Sequence, residues 1–419
     1  MNVFGSDFVR ISSTPAGGVS RIVRFVLLAG LISALALAAL AGSARAERAK
    51  PKAPGVYKPS TKGPAGLAFY KPPKKWPKGH GKLIWSRQVK PETPIPGVKS
   101  SRLVLYTSTT AQGKRTAVSG YVSVPKGRAP KGGWPVIAWA HGTTGIADKC
   151  APSLALAGGP PEPFVRRWVA AGYAVAATDY QGLGTPGIHQ YLVGKSEGRS
   201  ILDIVAAARQ LNTPISRRFV VAGVSQGGQA TLFAASLAGS WTPGLRLRGT
   251  VSYAPGTHFY EQKNLLPLLT SPNSLSAVAA MILAGAVSTS TDVVPSRILT
   301  DPALALYPQI NQRCLPELSL PDSYGGLAPS TLIRGDADTT ALDAALKAMN
   351  PAVKIAGPVL LAQGENDGTA FPMYTDQLND ELLAKGVDVD YIKYPGVGHQ
   401  DIVDAAEPDA MPFFERRLP

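Results

Sequence analysis

From residue 101 the chain breaks into short apolar blocks separated by polar, helix-forming stretches. RLVLYTSTTAQGKRTAVSGYVSVP, starting at residue 102, alternates apolar and polar positions on either side of an Ala-Gln-Gly-Lys turn, which predicts an antiparallel hairpin. The blocks that follow, WPVIAWA, YAVAATDY, RFVVAGVS, LRGTVSYAP, GPVLLAQG and VDYIKY, are continuous rather than alternating. Runs of that kind belong to strands buried on both faces, as in a parallel sheet covered by helices. Between them EPFVRRWVAAG and GRSILDIVAAARQLN carry apolar residues at helical spacing, so the repeating unit is strand, helix, strand. The pattern predicts an α/β fold: a doubly wound, mostly parallel central sheet with an N-terminal hairpin.

One interval breaks the rhythm. Residues 257–350 separate the SYAP strand from the PVLLAQG strand, far more chain than a crossover needs, and contain helical stretches such as SLSAVAAMILAGAV and TALDAALKAMN. An inserted helical cap is expected there, dividing the core into 101–256 and 351–419. Such a cap covers the carboxyl ends of the strands, where open parallel sheets bind ligands. Its LLPLLTSPNSLSAVAAMILAGAV stretch, with hardly a charge, suits an apolar ligand and equally suits the buried face of the cap helices.

Residues before 101 change the picture in two ways. FVLLAGLISALALAAL, residues 25–40, is too short for a comfortable membrane span, follows Arg10, Arg21 and Arg24, and precedes Ala44 and Ala46 at small-x-small spacing. It predicts a signal peptide over 1–46 and a secreted protein. Residues 47–100 hold many of the lysines behind the net charge of +15, which 43 Lys and Arg against 28 Asp and Glu produce. Pro and Gly break any helix there and aromatics are too few for a base-stacking platform, so a solvated basic arm is expected, able to hold the protein near an anionic surface, with no nucleic-acid partner. Export also makes a disulfide between Cys150 and Cys314, the chain's two cysteines, the expected state.

The chemistry centres on VVAGVSQGGQA. A G-x-S-x-G between a buried strand and a helix turns so tightly that the serine is thrust above the sheet, which makes Ser225, flanked by Gly223 and Gly227, the candidate nucleophile. A serine hydroxyl needs a base, and His399 in PGVGHQD follows the last strand in the order this architecture requires; His258 is the rival, while His80 lies in the arm and His189 in a loop well before the serine. The orienting carboxylate is expected from GENDG, Asp367 before Glu365, whereas Asp336 and Asp338 belong to the cap and suit a helix start. The backbone amide of Gln226 and that of Thr143, with Gly142 next, are the candidate oxyanion donors. His141 is then structural, and Asp179 and Tyr180 suit a turn-stabilising acid and a packed ring. No zinc spacing, dinucleotide fingerprint or phosphate loop occurs, so neither metal nor cofactor is expected.

The set FYKPPKKWPKGHGKLIWSR, WAHGTTGIADKCAPS, TDYQGLGTPGIHQYLVGKSEGRSILD, GVSQGGQA, LAQGENDG and PGVGH resembles the secretory lipase family of α/β-hydrolases, from about residue 69 to the C-terminus. The resemblance implies an α/β-hydrolase fold with an inserted lid, a catalytic Ser225, Asp367 and His399, and carboxylic-ester substrates including triacylglycerols. In fungal relatives a side-chain carboxylate contributes to the oxyanion site, where this chain offers Thr143 and Thr144. Acyl transfer or amide cleavage shares the first half of that chemistry. A non-catalytic cell-wall-associated protein is the reading from another class.

Overall fold

The computed structural model describes residues 59–89, 96–156 and 161–419. The apolar run at 25–40, the cleavage site at Ala46 and the first residues of the basic arm lie outside this range.

Nine strands among the described residues form one sheet: β1 (Leu83–Val89), β2 (Val98–Thr109), β3 (Arg115–Pro125), β4 (Trp134–Ala140), β5 (Ala174–Thr178), β6 (Ile215–Val224), β7 (Arg246–Tyr253), β8 (Val359–Gly364) and β9 (Val389–Tyr394). Their order is β1-β2-β3-β5-β4-β6-β7-β8-β9. Pairing is antiparallel from β1 through β3 to β5 and parallel from β5 onward. This is the mostly parallel sheet that the continuous apolar runs predict, in the α/β-hydrolase arrangement that the resemblance implies.

Helices α1 (Pro163–Ala170), α2 (Gly194–Ala208), α3 (Gln226–Trp241), α6 (Pro372–Ala384) and α7 (Glu407–Arg417) cover it, while α4 (Leu275–Val287) and α5 (Thr340–Ala348) lie between β7 and β8. Trp139 and Val220 of the sheet pack with Trp168 of α1 and Phe413 and Phe414 of α7 in one buried cluster. Val136 and Val221 pack with Ile201 and Val205 of α2 and Ala230 and Ala234 of α3 in another. Each layer removes several large side chains from water, at roughly 1.5–3 kcal/mol apiece.

The register sets the site. Ala140 of β4 pairs with Gly223 of β6, Val224 with Tyr253 of β7, and Tyr253 with Ala362 of β8, so the carboxyl ends of these strands are level. Between β7 and β8 the chain leaves the sheet and forms α4, α5 and shorter helices with their own apolar cluster, including Met281, Leu318, Tyr324 and Leu342. Both ends of this excursion meet at one point. Thr257 Oγ1 donates to Asn350 Oδ1 at 2.8 Å, and Asn350 Nδ2 donates to Glu381 of α6 at 3.0 Å.

The solvated arm expected over 47–100 is corrected by its described part. β1 is the edge strand of the sheet, with Ile84 fully buried, and Phe69 and Tyr70 lie in the core. Trp85 Nε1 donates to the carbonyl of Phe69 at 3.0 Å. His80 Nδ1 lies 2.5 Å from the buried Asp203 and its ring stacks on Trp241 at 4.0 Å. The surrounding Pro and Lys residues conceal an apolar pattern, LIWSRQV, that needs only one neighbouring strand to be buried.

Candidate active site

The elbow between β6 and α3 is built from close approaches. Ser225 has φ 57° and ψ −114°, a left-handed conformation costly for a residue with a Cβ. It is held by Ser225 N–H to the carbonyl of Tyr253 at 2.9 Å, and by Gly256 N–H to the carbonyl of Ser225 at 3.1 Å. The flanking glycines are steric necessities. A Cβ on Gly227 would lie 1.9 Å from the carbonyl oxygen of Ala140, and one on Gly223 would lie 2.5 Å from that of Gly227.

Asp367 sits in the turn after β8 and His399 in the loop after β9. His399 Nδ1 lies 2.6 Å from Asp367 Oδ2. The carboxylate also accepts the N–H groups of Thr369 and Ala370 at 2.8 Å each and Gln363 Nε2 at 3.3 Å. Those donors point Asp367 inward, while Glu365 is exposed to solvent. With Nδ1 donating to Asp367, His399 Nε2 is left as the acceptor. Ser225 and His399 line the same cavity; among the described residues no hydrogen bond joins Ser225 Oγ to the imidazole.

Gly142 and Thr143 follow β4 beside the elbow, and a Cβ on Gly142 would stand 3.7 Å from Ser225 Cβ. The backbone N–H groups of Thr143 and Gln226 donate to no acceptor among the described residues, and both residues line the cavity. Gln226 opens α3, whose first-turn amides are unpaired by construction. Thr143 Oγ1 is 2.7 Å from Tyr191 Oη, a partner with no sequence signal of its own. Cys150 and Cys314 form a disulfide that ties the loop after β4 to the insertion, supported by Leu315 N–H donating to the carbonyl of Thr144 at 2.9 Å.

The remaining candidates take other roles, and of them His141 also lines the cavity. His141 is buried; its Nδ1 lies 2.6 Å from the carbonyl of Gly142, and burial pushes its pKa down to about 4. His258 is buried at the base of the insertion against Glu381 and does not line the cavity. Asp179 is buried and accepts from Ser119 Oγ at 2.6 Å and the N–H of Ser153 at 2.9 Å, with burial raising its pKa to about 6. Tyr180 donates to the carbonyl of His141 at 2.8 Å. Asp338 accepts from the N–H of Thr340 at the start of α5 at 2.9 Å. Glu197, which the sequence reading passes over, is fully buried behind the elbow and accepts from Gln226 Nε2 at 2.7 Å.

The cavity measures about 1330 Å³. On the insertion side its wall is apolar, with Leu265, Leu269, Val278, Ile282 and Leu346, whereas Glu162, Phe164 and Arg166 of the α1 region and Asp404 line the side of His399. Among the described residues no group of three or more His, Cys, Asp or Glu side chains could hold a metal ion.

Comparison with known proteins bears on the fold and on one stretch of the chain. The family model described as Secretory lipase matches residues 161–289. Lipase A of Moesziomyces aphidis is 27% identical over 183 residues, which is 40% of this chain and 38% of that protein's length. Among solved structures, the rice cell wall degrading esterase LipA from Xanthomonas oryzae superposes with a TM-score of 0.68 at 18% identity, over 81% of this chain and 98% of that one. Candida antarctica lipase A in its closed state gives 0.66 at 20% identity, over 81% and 82%. At such identity these two likenesses speak for the fold. Residues 161–289, from α1 through the elbow to the end of α4, thus carry the signature of the secretory lipase family, set in an α/β-hydrolase fold.

Proposed function

We propose that the protein is an exported serine hydrolase that cleaves carboxylic esters, lipase or esterase in type, through an acyl-enzyme on Ser225. The observation that carries the reading is a strained serine at a helix start, sharing one cavity with an imidazole whose Nδ1 is held 2.6 Å from a buried carboxylate. His399 Nε2 takes the Ser225 proton as Oγ attacks the ester carbonyl; the amides of Gln226 and Thr143 receive the oxyanion. Collapse expels the alcohol, protonated by His399, and water activated by the same imidazole releases the acid. Asp367 keeps Nδ1 protonated and offsets the imidazolium charge. The apolar wall contributed by the insertion suits the acyl chain. Export rests on the apolar run at 25–40, with cleavage after Ala46.

The test is hydrolysis of p-nitrophenyl esters from acetate to palmitate by residues 47–419, beside Ser225→Ala. Activity lost in the variant supports the assignment, and the chain-length profile separates esterase from lipase. A folded protein inactive on every ester refutes it and favours acyl transfer, amide cleavage or a wall-associated binding role.

A further inference from the structure

The residue after the nucleophile is held from behind by two buried side chains that do not line the cavity, His189 and Glu197. His189 Nδ1 lies 2.8 Å from the carbonyl oxygen of Gln181, an atom that only accepts, so Nδ1 carries the ring hydrogen and Nε2 is an acceptor. Burial keeps this imidazole neutral, with a pKa of about 4. Its Nε2 is 3.1 Å from Gln226 Nε2, which therefore donates, and the orientation of the carboxamide is fixed. The other hydrogen of the same NH2 goes to Glu197 Oε1 at 2.7 Å, which also accepts the N–H of Leu192 at 2.9 Å.

Two atoms are left over. Glu197 Oε2 and Gln226 Oε1 are both buried and both without a partner. With Glu197 ionised, each would be an acceptor lacking a donor, on two side chains already joined by one hydrogen bond. A single proton on Oε2 resolves both. We infer that Glu197 is a positioning residue held as the neutral carboxylic acid, its Oε2 hydrogen donated to Gln226 Oε1, so that acid and amide pair through two hydrogen bonds and fix the residue whose N–H serves the oxyanion.

The surroundings agree. Titratable groups facing Glu197 are His189, Tyr180 and Tyr191, none of which is cationic at neutral pH, and burial raises the Glu197 pKa to about 8. The helix that carries it packs hard against α3: a Cβ on Gly198 would lie 2.8 Å from the backbone nitrogen of Ala234. Ionisation would leave a buried charge with no cationic side chain beside it to offset the lost hydration.

The consequence for catalysis rests on the ester-hydrolase reading; the protonation state does not. Infrared difference spectra of the wild type, of Glu197→Gln and of Glu197→Leu, recorded from about pH 7 to pH 10, test it directly. Expected is a protonated-carboxyl band in the wild type that disappears through about pH 8 and is missing from both variants. Glu197→Gln can accept the same two hydrogens and donate the third, so its kcat at pH 7 should stay within about threefold of the wild type. The wild-type kcat should fall about tenfold per unit above pH 8 with KM unchanged, while Glu197→Gln keeps its rate to pH 10. Glu197→Leu should lose about tenfold or more in kcat at every pH. A wild type without the band, or a Glu197→Gln profile that superimposes on the wild-type alkaline limb, overturns the inference. Should Glu197→Gln fail to fold, a wild-type band that is missing from Glu197→Leu decides. A wild type inactive on esters that still shows the band refutes the proposed function and leaves the acid–amide pair standing.

Discussion

Removing the Cys150–Cys314 bridge should destabilise the protein and loosen one wall of the site. The bridged cysteines are 164 residues apart in sequence, and their crosslink denies the unfolded chain a large loop. In the chain-entropy description a closure of that size is worth about 5 kcal/mol at 25 °C. Taking about 2.1 cal/mol/K of unfolding entropy per residue over roughly 350 residues, the midpoint should drop by about 7 °C. The bridge is also local architecture. A Cβ on Gly145 would lie 2.7 Å from Cys150 Sγ and 2.9 Å from Cys314 Cα, so the loop after β4 is moulded around it. That loop carries Thr143, the proposed second oxyanion donor, and its backbone pairing to Leu315 and the exposed Lys149–Glu317 ion pair are what remain once the sulfurs are parted. Scanning calorimetry of the wild type, the reduced wild type and Cys150→Ser/Cys314→Ser measures the shift, and ester hydrolysis well below the midpoint measures the effect on the site. Expected are midpoints several degrees lower for both reduced forms and a modest fall in kcat. A midpoint unchanged within a degree would refute the reasoning, because it would mean the crosslink adds nothing that native packing does not supply.

Further expectations follow from the same structure. Asp367→Asn should keep the turn yet lower kcat roughly a thousandfold or more with little change in KM, since an amide cannot offset the imidazolium; a loss below tenfold would remove Asp367 from the mechanism. Gly227→Ala sets a methyl group 1.9 Å from the Ala140 carbonyl, so the elbow cannot close and activity on all esters should vanish even where the protein still folds, which circular dichroism would check. The buried His189 has its pKa lowered from 6.5 to about 4, so its contribution is complete above pH 6.5 and is lost as pH falls through 4. That difference amounts to about 3 kcal/mol. His189→Asn should flatten the pH dependence of the denaturant midpoint over that interval, and an unaltered slope would count against a neutral buried imidazole. Deletion through residue 89 removes Phe69 and Ile84 from the core and should leave the protein insoluble, whereas deletion through residue 65 should be tolerated; equal behaviour of the two would contradict the docked edge strand.

The parallel strands were readable because burial on both faces demands uninterrupted apolar runs, and β4, β6 and β8 have no alternative use for them. Ser225, Asp367 and His399 could be named for a related reason: each needs a particular turn chemistry at the carboxyl end of a strand, and glycines mark those turns. β1 was hidden because its seven residues sit among Pro and Lys, so local composition outweighed the alternation that pairing with β2 reveals. Glu197 was missed for the opposite reason. A charged residue in GKSEGRS reads as solvated helix surface, and only the glycines at 194 and 198, which let α2 press against Phe233 and Ala234, hint that this face turns inward. Tyr191 gave no signal at all, since its partner Thr143 lies 48 residues away.

The hydrogen bond between Thr257 and Asn350 bears on how a protein with the proposed activity can acquire new substrates. A segment whose two ends are clasped at one point behaves like a cassette: its length and helices can be rewritten without disturbing the strands that hold the proposed nucleophile, acid and base. The acyl-facing wall then drifts independently of the reacting groups, and transplanting the stretch between the clasp residues from one such enzyme to another becomes a direct route to changed chain-length preference.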